Sequence, residues 1–230
     1  MNPVKALENH GQAIWLDFLA RGFVAKGDLK ALIETDGVKG VTSNPSIFEK
    51  AISSSDEYDG AIGKALQNGD RPVADLFEAV AVEDIQNAAD VLRPVYDRLD
   101  GNDGFVSLEV SPYLAMDTKG TIAEAERLWK DVKRQNLMVK VPATPEGLPA
   151  IEHLIGEGIS INITLLFSQE VYREVAEAYI AGRKNTSPRA AIPRLSPASR
   201  LSSSAASIPR STSSSMTRSQ EPMTPARRSD

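Results

Sequence analysis

Five short apolar runs recur along the chain, and each carries a polar side chain near its C-terminal end. Ile14-Trp15-Leu16-Asp17-Phe18 carries Asp17, and Gly40-Val41-Thr42-Ser43-Asn44 ends in Asn44 before Pro45. Phe105-Val106-Ser107-Leu108-Glu109-Val110 carries Glu109, and Leu137-Met138-Val139-Lys140-Val141 carries Lys140 before Pro142. In the fifth run, 159–165, Asn162 and Thr164 share one face by period-two alternation. Runs this short read as strands. The segments between them are patterned as helices, so the chain reads β-α-β-α with a parallel sheet.

Local signals place the helices. A short helix is expected from Pro3 to Gly11, and another from Lys26 to Thr35, ending near Gly37. Asn44-Pro45 is an N-cap followed by proline at the first helical position. Residues 58–99 are mostly helical but broken at Gly69-Asp70-Arg71-Pro72, too long for one βα connection, so one or two inserted helices are expected. Thr121-Ile122-Ala123-Glu124 reads as a capping box opening a helix to about Arg134. Thr144-Pro145 and Ser168 are the entries to the next two helices, the last covering 169–181. Trp15, Trp129 and the Leu, Val and Ala positions of 73–95 are expected in the core. Asp56-Glu57-Tyr58-Asp59 is expected as a solvated first turn, and His10 and His153 at the surface.

Composition divides this picture in two. The chain has 230 residues, 41% hydrophobic and 25% charged, ordinary for a soluble α/β domain. No apolar run approaches the ~20 residues that span a bilayer, and no basic-plus-apolar signal opens the chain. With no cysteine, disulfide and thiolate chemistry are excluded and a cytoplasmic location is expected. The net charge of −5 divides into −12 over residues 1–182 and +7 over 183–230. That second stretch holds thirteen Ser and six Pro, with no Gly and no aromatic residue. It cannot bury enough apolar surface to order itself. The expected organisation is one α/β domain over 1–182 and a disordered basic tail over 183–230. The acidic body argues against nucleic-acid binding, and no membrane contact is expected.

Lys140 is the position that carries chemistry. A lysine inside a buried strand is costly unless it is paired or used, and a desolvated amine loses its proton more readily. The neutral amine attacks a carbonyl. Carboxylates at Glu109 and Asp17 would shuttle protons as the carbinolamine forms and loses water. The competing reading is three independent strand-end charges in a structural network. Asn44 and Asn162 could hydrogen-bond the hydroxyls of a polyol, although Asn44 has a local use as a cap. Asn162 and Thr164 lack a local capping use. No spacing of His, Asp or Glu resembles a metal site, and no Gly-rich phosphate loop is present.

At these residues the chain closely resembles transaldolases. The matching segments are Ile14-Trp15-Leu16-Asp17-Phe18, Gly40-Val41-Thr42-Ser43-Asn44-Pro45-Ser46-Ile47-Phe48 and Ser107-Leu108-Glu109-Val110-Ser111-Pro112. Met138-Val139-Lys140-Val141-Pro142-Ala143-Thr144 and Ile161-Asn162-Ile163-Thr164-Leu165-Leu166-Phe167-Ser168 complete the set. The resemblance implies a TIM-type (β/α)8 barrel whose lysine, here Lys140, forms a Schiff base with a ketose phosphate. It further implies that Asp17 handles the proton of the substrate hydroxyl during carbon–carbon cleavage. Glu109 would act through a bound water in forming and hydrolysing the imine, while Asn44, Asn162 and Thr164 position substrate and water. A dihydroxyacetone unit would pass from sedoheptulose 7-phosphate to glyceraldehyde 3-phosphate, in the pentose phosphate pathway, with no cofactor.

The resemblance ends near residue 182. The family continues with three more βα units, including a Ser and an Arg that grip the substrate phosphate, and nothing in 183–230 matches them. A Ser/Pro/Arg-rich stretch that starts mid-helix is expected of a reading-frame shift that replaced the C-terminal third. Such a chain would have five strands, open edges, weak or no activity, and a tendency to aggregate. Competing expectations are a fructose-6-phosphate aldolase-like enzyme, the first part of a transaldolase–glucose-6-phosphate isomerase fusion, and a non-catalytic fragment.

Overall fold

The computed structural model describes residues 2–67, 69 and 72–186. Five strands form one parallel sheet in sequence order: β1 (Ile14–Asp17), β2 (Val38–Thr42), β3 (Phe105–Glu109), β4 (Leu137–Pro142) and β5 (Ile161–Thr164). Helix α1 (Pro3–Ala6) and a 3-10 turn at Leu7–His10 precede β1, and α2 (Arg21–Ala25) and α3 (Asp28–Asp36) join it to β2. Among the described residues, three α-helices and a 3-10 turn at Asp56–Tyr58 lie between β2 and β3, the helices being α4 (Pro45–Ser53), α5 (Asp59–Leu66) and α6 (Val73–Arg98). Then α7 (Thr118–Val132), α8 (Gly147–Gly156) and α9 (Gln169–Lys184) follow β3, β4 and β5. The sheet curls as part of a TIM-type barrel, and among the described residues β1 and β5 are its two edges. No helix among the described residues is long and apolar enough to cross a membrane.

The side chains of one sheet face explain the core. Val41, Val106, Leu108, Leu137, Val139, Val141, Ile161 and Ile163 are buried against the helices. These are the alternate positions of each strand, so the intervening residues point into the barrel. Helix α6 answers with Ala81, Ile85, Ala88, Ala89, Leu92 and Val95, an i, i+3, i+4 stripe. Buried Asn136 holds the N-terminal ends together, its Nδ2 donating to Ala89 O (2.8 Å) and Gly104 O (2.9 Å).

Asp84 falls on the buried stripe of α6 with its side chain fully enclosed. Arg21 answers it: Nε donates to Asp84 Oδ1 at 2.8 Å and Nη2 to Glu83 Oε2 at 2.7 Å. The guanidinium lies 5.2 Å from the Tyr58 ring centroid, and the Arg21 backbone N–H donates to the Tyr58 hydroxyl. Burial pushes the Asp84 carboxyl up, opposed by the charge of Arg21, and pushes the Tyr58 phenol up to about 12. This cluster fastens the start of α2, just beyond Asp17, to α6.

Several local expectations need correction. The 58–99 region divides as expected, but Asp56-Glu57-Tyr58-Asp59 is not a wholly solvated turn, because Tyr58 is 1% exposed. The helix expected from Lys26 begins at Asp28 as α3, after Gly27 in the left-handed region (φ 82°), and the short α2 before it was not expected. The capping box at Thr121 does not form. Asp117 caps α7 through Gly120 N, Thr121 is buried inside the helix and donates to Leu114 O, and Glu124 turns to Ser111 N. A carboxylate closer to the helix start won the competition for the free amides. The boundary expected at 182 falls inside α9. Of the 183–230 tail, all beyond Thr186 lies outside the described residues.

Gly40 marks a close approach inside the barrel. It pairs with Trp15 across β1 and β2, and a Cβ there would stand 2.3 Å from the indole. Trp15 is thus no helix-side core residue; it lies across the inner face, its Nε1 donating to Asp103 Oδ1 at 3.1 Å. Gly40→Ala should destabilise the fold by about 1–3 kcal/mol, the usual cost of overpacking. Urea unfolding checks this, and adding Trp15→Ala should recover part of the loss. Equal stability of Gly40→Ala and the wild type would refute the contact.

Candidate active site

Strand register assembles the polar residues. Lys140 is the register partner of Glu109 on β3 and of Asn162 on β5, and Thr164 lies opposite Pro142. Asp17 stands opposite Thr42 on the other side of the sheet. All sit at the C-terminal ends of parallel strands, where barrel enzymes build their sites. A cavity of about 220 Å³ opens there, lined by Trp15, Asp17, Thr42, Asn44, Lys140, Asn162 and Thr164, with 163–167 completing the wall. The structure therefore brings five of the six residues singled out in the sequence to one cavity, and the sixth, Glu109, adjoins it through Lys140.

Lys140 Nζ lies 3.5 Å from Glu109 Oε2, with the two side chains 14% and 20% exposed. The same nitrogen donates to the carbonyl oxygen of Ser43 at 3.3 Å. Burial raises the pKa of Glu109 above the ordinary carboxylate range, and the Lys140 charge and hydrogen bond oppose that rise. A carboxyl in that condition exchanges a proton at milder pH than a solvated one. That suits it to proton transfer.

Asn44 makes the expected cap and also lines the cavity. Its Oδ1 accepts from Ile47 N at 3.0 Å, capping α4. On β5 the alternation is clean: Ile161 and Ile163 are buried, Asn162 and Thr164 half-buried. Leu165 then takes a left-handed backbone (φ 67°), which turns the chain along the cavity wall.

Loop contacts hold the rim. Thr118 Oγ1 donates to Glu146 O and Thr144 Oγ1 to Ala115 O, both at 2.6 Å, bracing the loops after β3 and β4 against each other. Thr144 also accepts from Gly147 N (3.0 Å), the first residue of α8, which starts later than the expected Pro145 entry and has Glu146 at its N-cap position. Sequence reasoning missed Thr42, Trp15 and the 165–167 wall as lining residues. Alternation could have found the first two, since Thr42 shares a face with Asn44 and Trp15 with Asp17. The Ser43 contact is made by a backbone oxygen and has no side-chain signal.

Glu109 gives the site a pH signature. Its folded pKa lies above the unfolded value of ~4.3, so the native state holds that proton more tightly. That contribution to stability is present below the unfolded pKa and is lost as pH rises through the folded one. Glu109→Gln abolishes it. The stability of the wild type relative to the variant should therefore fall as pH rises through that window. Urea titrations at stepped pH measure it; a difference that is flat or grows with pH contradicts the burial.

The family model described as Transaldolase/Fructose-6-phosphate aldolase matches residues 14–208. Among curated relatives, "Transaldolase 2" of Nostoc punctiforme is 46% identical over 181 residues, covering 79% of this chain and 47% of the relative. "Transaldolase" of Thermobifida fusca is 50% identical over 79% of this chain and 49% of its own. "Transaldolase 2" of Streptomyces avermitilis is 48% identical over 82% and 50%. The chain spans about half the length of these relatives.

Proposed function

The chain belongs to the transaldolase/fructose-6-phosphate aldolase family, and from that premise we propose that its cavity performs the lysine-imine chemistry of a transaldolase on ketose phosphates. The observation that carries the proposal is the Lys140 amine, 3.5 Å from the Glu109 carboxylate, at a cavity that Asp17, Asn44, Asn162 and Thr164 also line.

The neutral Lys140 amine adds to the keto carbon of sedoheptulose 7-phosphate or fructose 6-phosphate. The carbinolamine hydroxyl leaves as water, protonated by way of Glu109 and a bound water, and an iminium forms. Asp17 takes the proton of the hydroxyl on the far carbon of the bond to be broken, the carbon that becomes the aldehyde. That carbon–carbon bond cleaves, its electron pair passes to the iminium, and an aldose phosphate departs. The resulting enamine adds to the aldehyde carbon of an incoming aldose phosphate, glyceraldehyde 3-phosphate in the forward direction. Asp17 returns the proton to the new hydroxyl. Hydrolysis through the Glu109-bound water frees the product and the amine. Asn44, Asn162 and Thr164 hydrogen-bond substrate hydroxyls and the water, replacing the bonds that these groups lose on leaving solvent.

Sugar phosphates are the partners in this reading, the pentose phosphate pathway in the cytoplasm is its setting, and no cofactor takes part. The family description names a second outcome, fructose-6-phosphate aldolase. In that case a proton rather than a sugar aldehyde adds to the enamine carbon, and water then hydrolyses the iminium to release dihydroxyacetone and the amine. Product analysis with and without glyceraldehyde 3-phosphate separates transfer from release.

Borohydride reduction tests the imine directly. The chain incubated with fructose 6-phosphate and reductant should gain the mass of a reduced sugar adduct on the peptide carrying Lys140, and Lys140→Ala should gain none. Asp17→Asn should still trap the ketose while carbon–carbon cleavage falls about 10²–10⁴-fold, the usual worth of a general acid–base group. An adduct on another lysine, or unchanged cleavage in Asp17→Asn, would contradict the assignment.

A further inference from the structure

Buried hydroxyls cluster at the C-terminal end of β2 and on the neighbouring β3, close to Lys140. Ser43 and Ser107 are wholly buried and Thr42 is 4% exposed. The Ser43 hydroxyl donates to the Ser107 carbonyl at 2.7 Å, and the Ser107 hydroxyl to Thr42 Oγ1 at 3.1 Å. Ser43 immediately follows β2, between Thr42 and the capping Asn44, and its own carbonyl accepts from Lys140 Nζ at 3.3 Å.

We infer that Ser43 is a positioning residue: its side chain pins the end of β2 to β3 so that its carbonyl aims the Lys140 amine into the cavity. The inference rests on the lysine-imine reading of the same site. A neutral primary amine has two N–H bonds and one lone pair. Ser43 O, just past the end of β2, and Glu109 Oε2, on β3, are two acceptors at 3.3 and 3.5 Å from Nζ. When both N–H bonds are taken by them, one tetrahedral direction is left for the lone pair, at a residue that lines the cavity. Attack on a keto carbon needs the lone pair there. After water leaves, the iminium nitrogen keeps one N–H, and the same pair of acceptors can hold it. The carbonyl can do this only while its peptide stays in place. A buried hydroxyl bonded across to the next strand is what prevents the peptide from turning. The Ser43 hydroxyl itself touches no reacting atom.

The test is the rate of borohydride trapping with fructose 6-phosphate, measured across sugar concentrations on the 230-residue chain and its variants. Ser43→Ala should lower the saturating trapping rate about three- to tenfold, the worth of one hydrogen bond, with the half-saturating sugar concentration changed less than twofold. Ser43→Thr keeps the hydroxyl and should recover most of the rate. Circular dichroism melts establish that each variant folds; if Ser43→Ala does not, Ser43→Cys, with its weaker donor, takes its place in the same comparison. Equal rates for wild type and the hydroxyl-less variant overturn the inference, as does a Thr variant no faster than the Ala or Cys one. A wild type that never traps overturns the imine reading and this inference together, whereas a trapping wild type with an unaffected Ser43→Ala removes only the role of Ser43.

Discussion

Parallel register is the constraint on which the rest of the molecule depends. It sets Glu109 beside Lys140 and Lys140 beside Asn162, with Asp17 facing Thr42 on the far strands. A slip of one residue would send every one of these side chains into the helix-packed face and bring Val139 or Val141 inward. The apolar alternates therefore do two things at once. By requiring burial against α6, α7 and α8, they fix which residues are left for the barrel interior. The polar cluster is held by the hydrophobic pattern that excludes it.

Placing a lysine and a carboxylate there costs desolvation, and the structure shows how that cost is met. Glu109 carries a raised pKa because burial outweighs its attraction to Lys140. Lys140 finds two acceptors, one charged and one a backbone carbonyl. The second matters because a carbonyl on a strand end cannot rotate away as a side chain can. Further strain is localised at the end of β5, where Leu165 adopts a left-handed backbone beside the cavity (φ 67°). Costly conformations of this kind persist where surrounding structure fixes them, and here they form part of the site wall.

Strand positions and site residues were legible because each strand ends in a polar residue on an otherwise apolar run, and two strands are closed by proline. The inserted helices between β2 and β3 were legible from length alone. Other features depended on partners far away in sequence. Tyr58 looked solvated among acidic neighbours, yet Arg21 and Asp84 draw it inside. Thr121 had the local pattern of a cap, but Asp117 reached the free amides first. Trp15 read as generic core until Gly40 was seen to make room for its ring on the inner face. Asn44 admitted two readings because its oxygen caps α4 while the residue also lines the cavity. Ser43 acts on Lys140 through a main-chain atom, which no side-chain pattern announces.

A crystal structure of the borohydride-reduced fructose 6-phosphate adduct tests the account most directly. The account predicts a carbon–nitrogen bond at Lys140 Nζ, with the sugar chain running through the cavity between Asp17 and Asn162 and the nitrogen still within reach of Ser43 O and Glu109. A sugar attached elsewhere, or attached to Lys140 but lying outside that cavity with Asp17 remote from its hydroxyls, would contradict it.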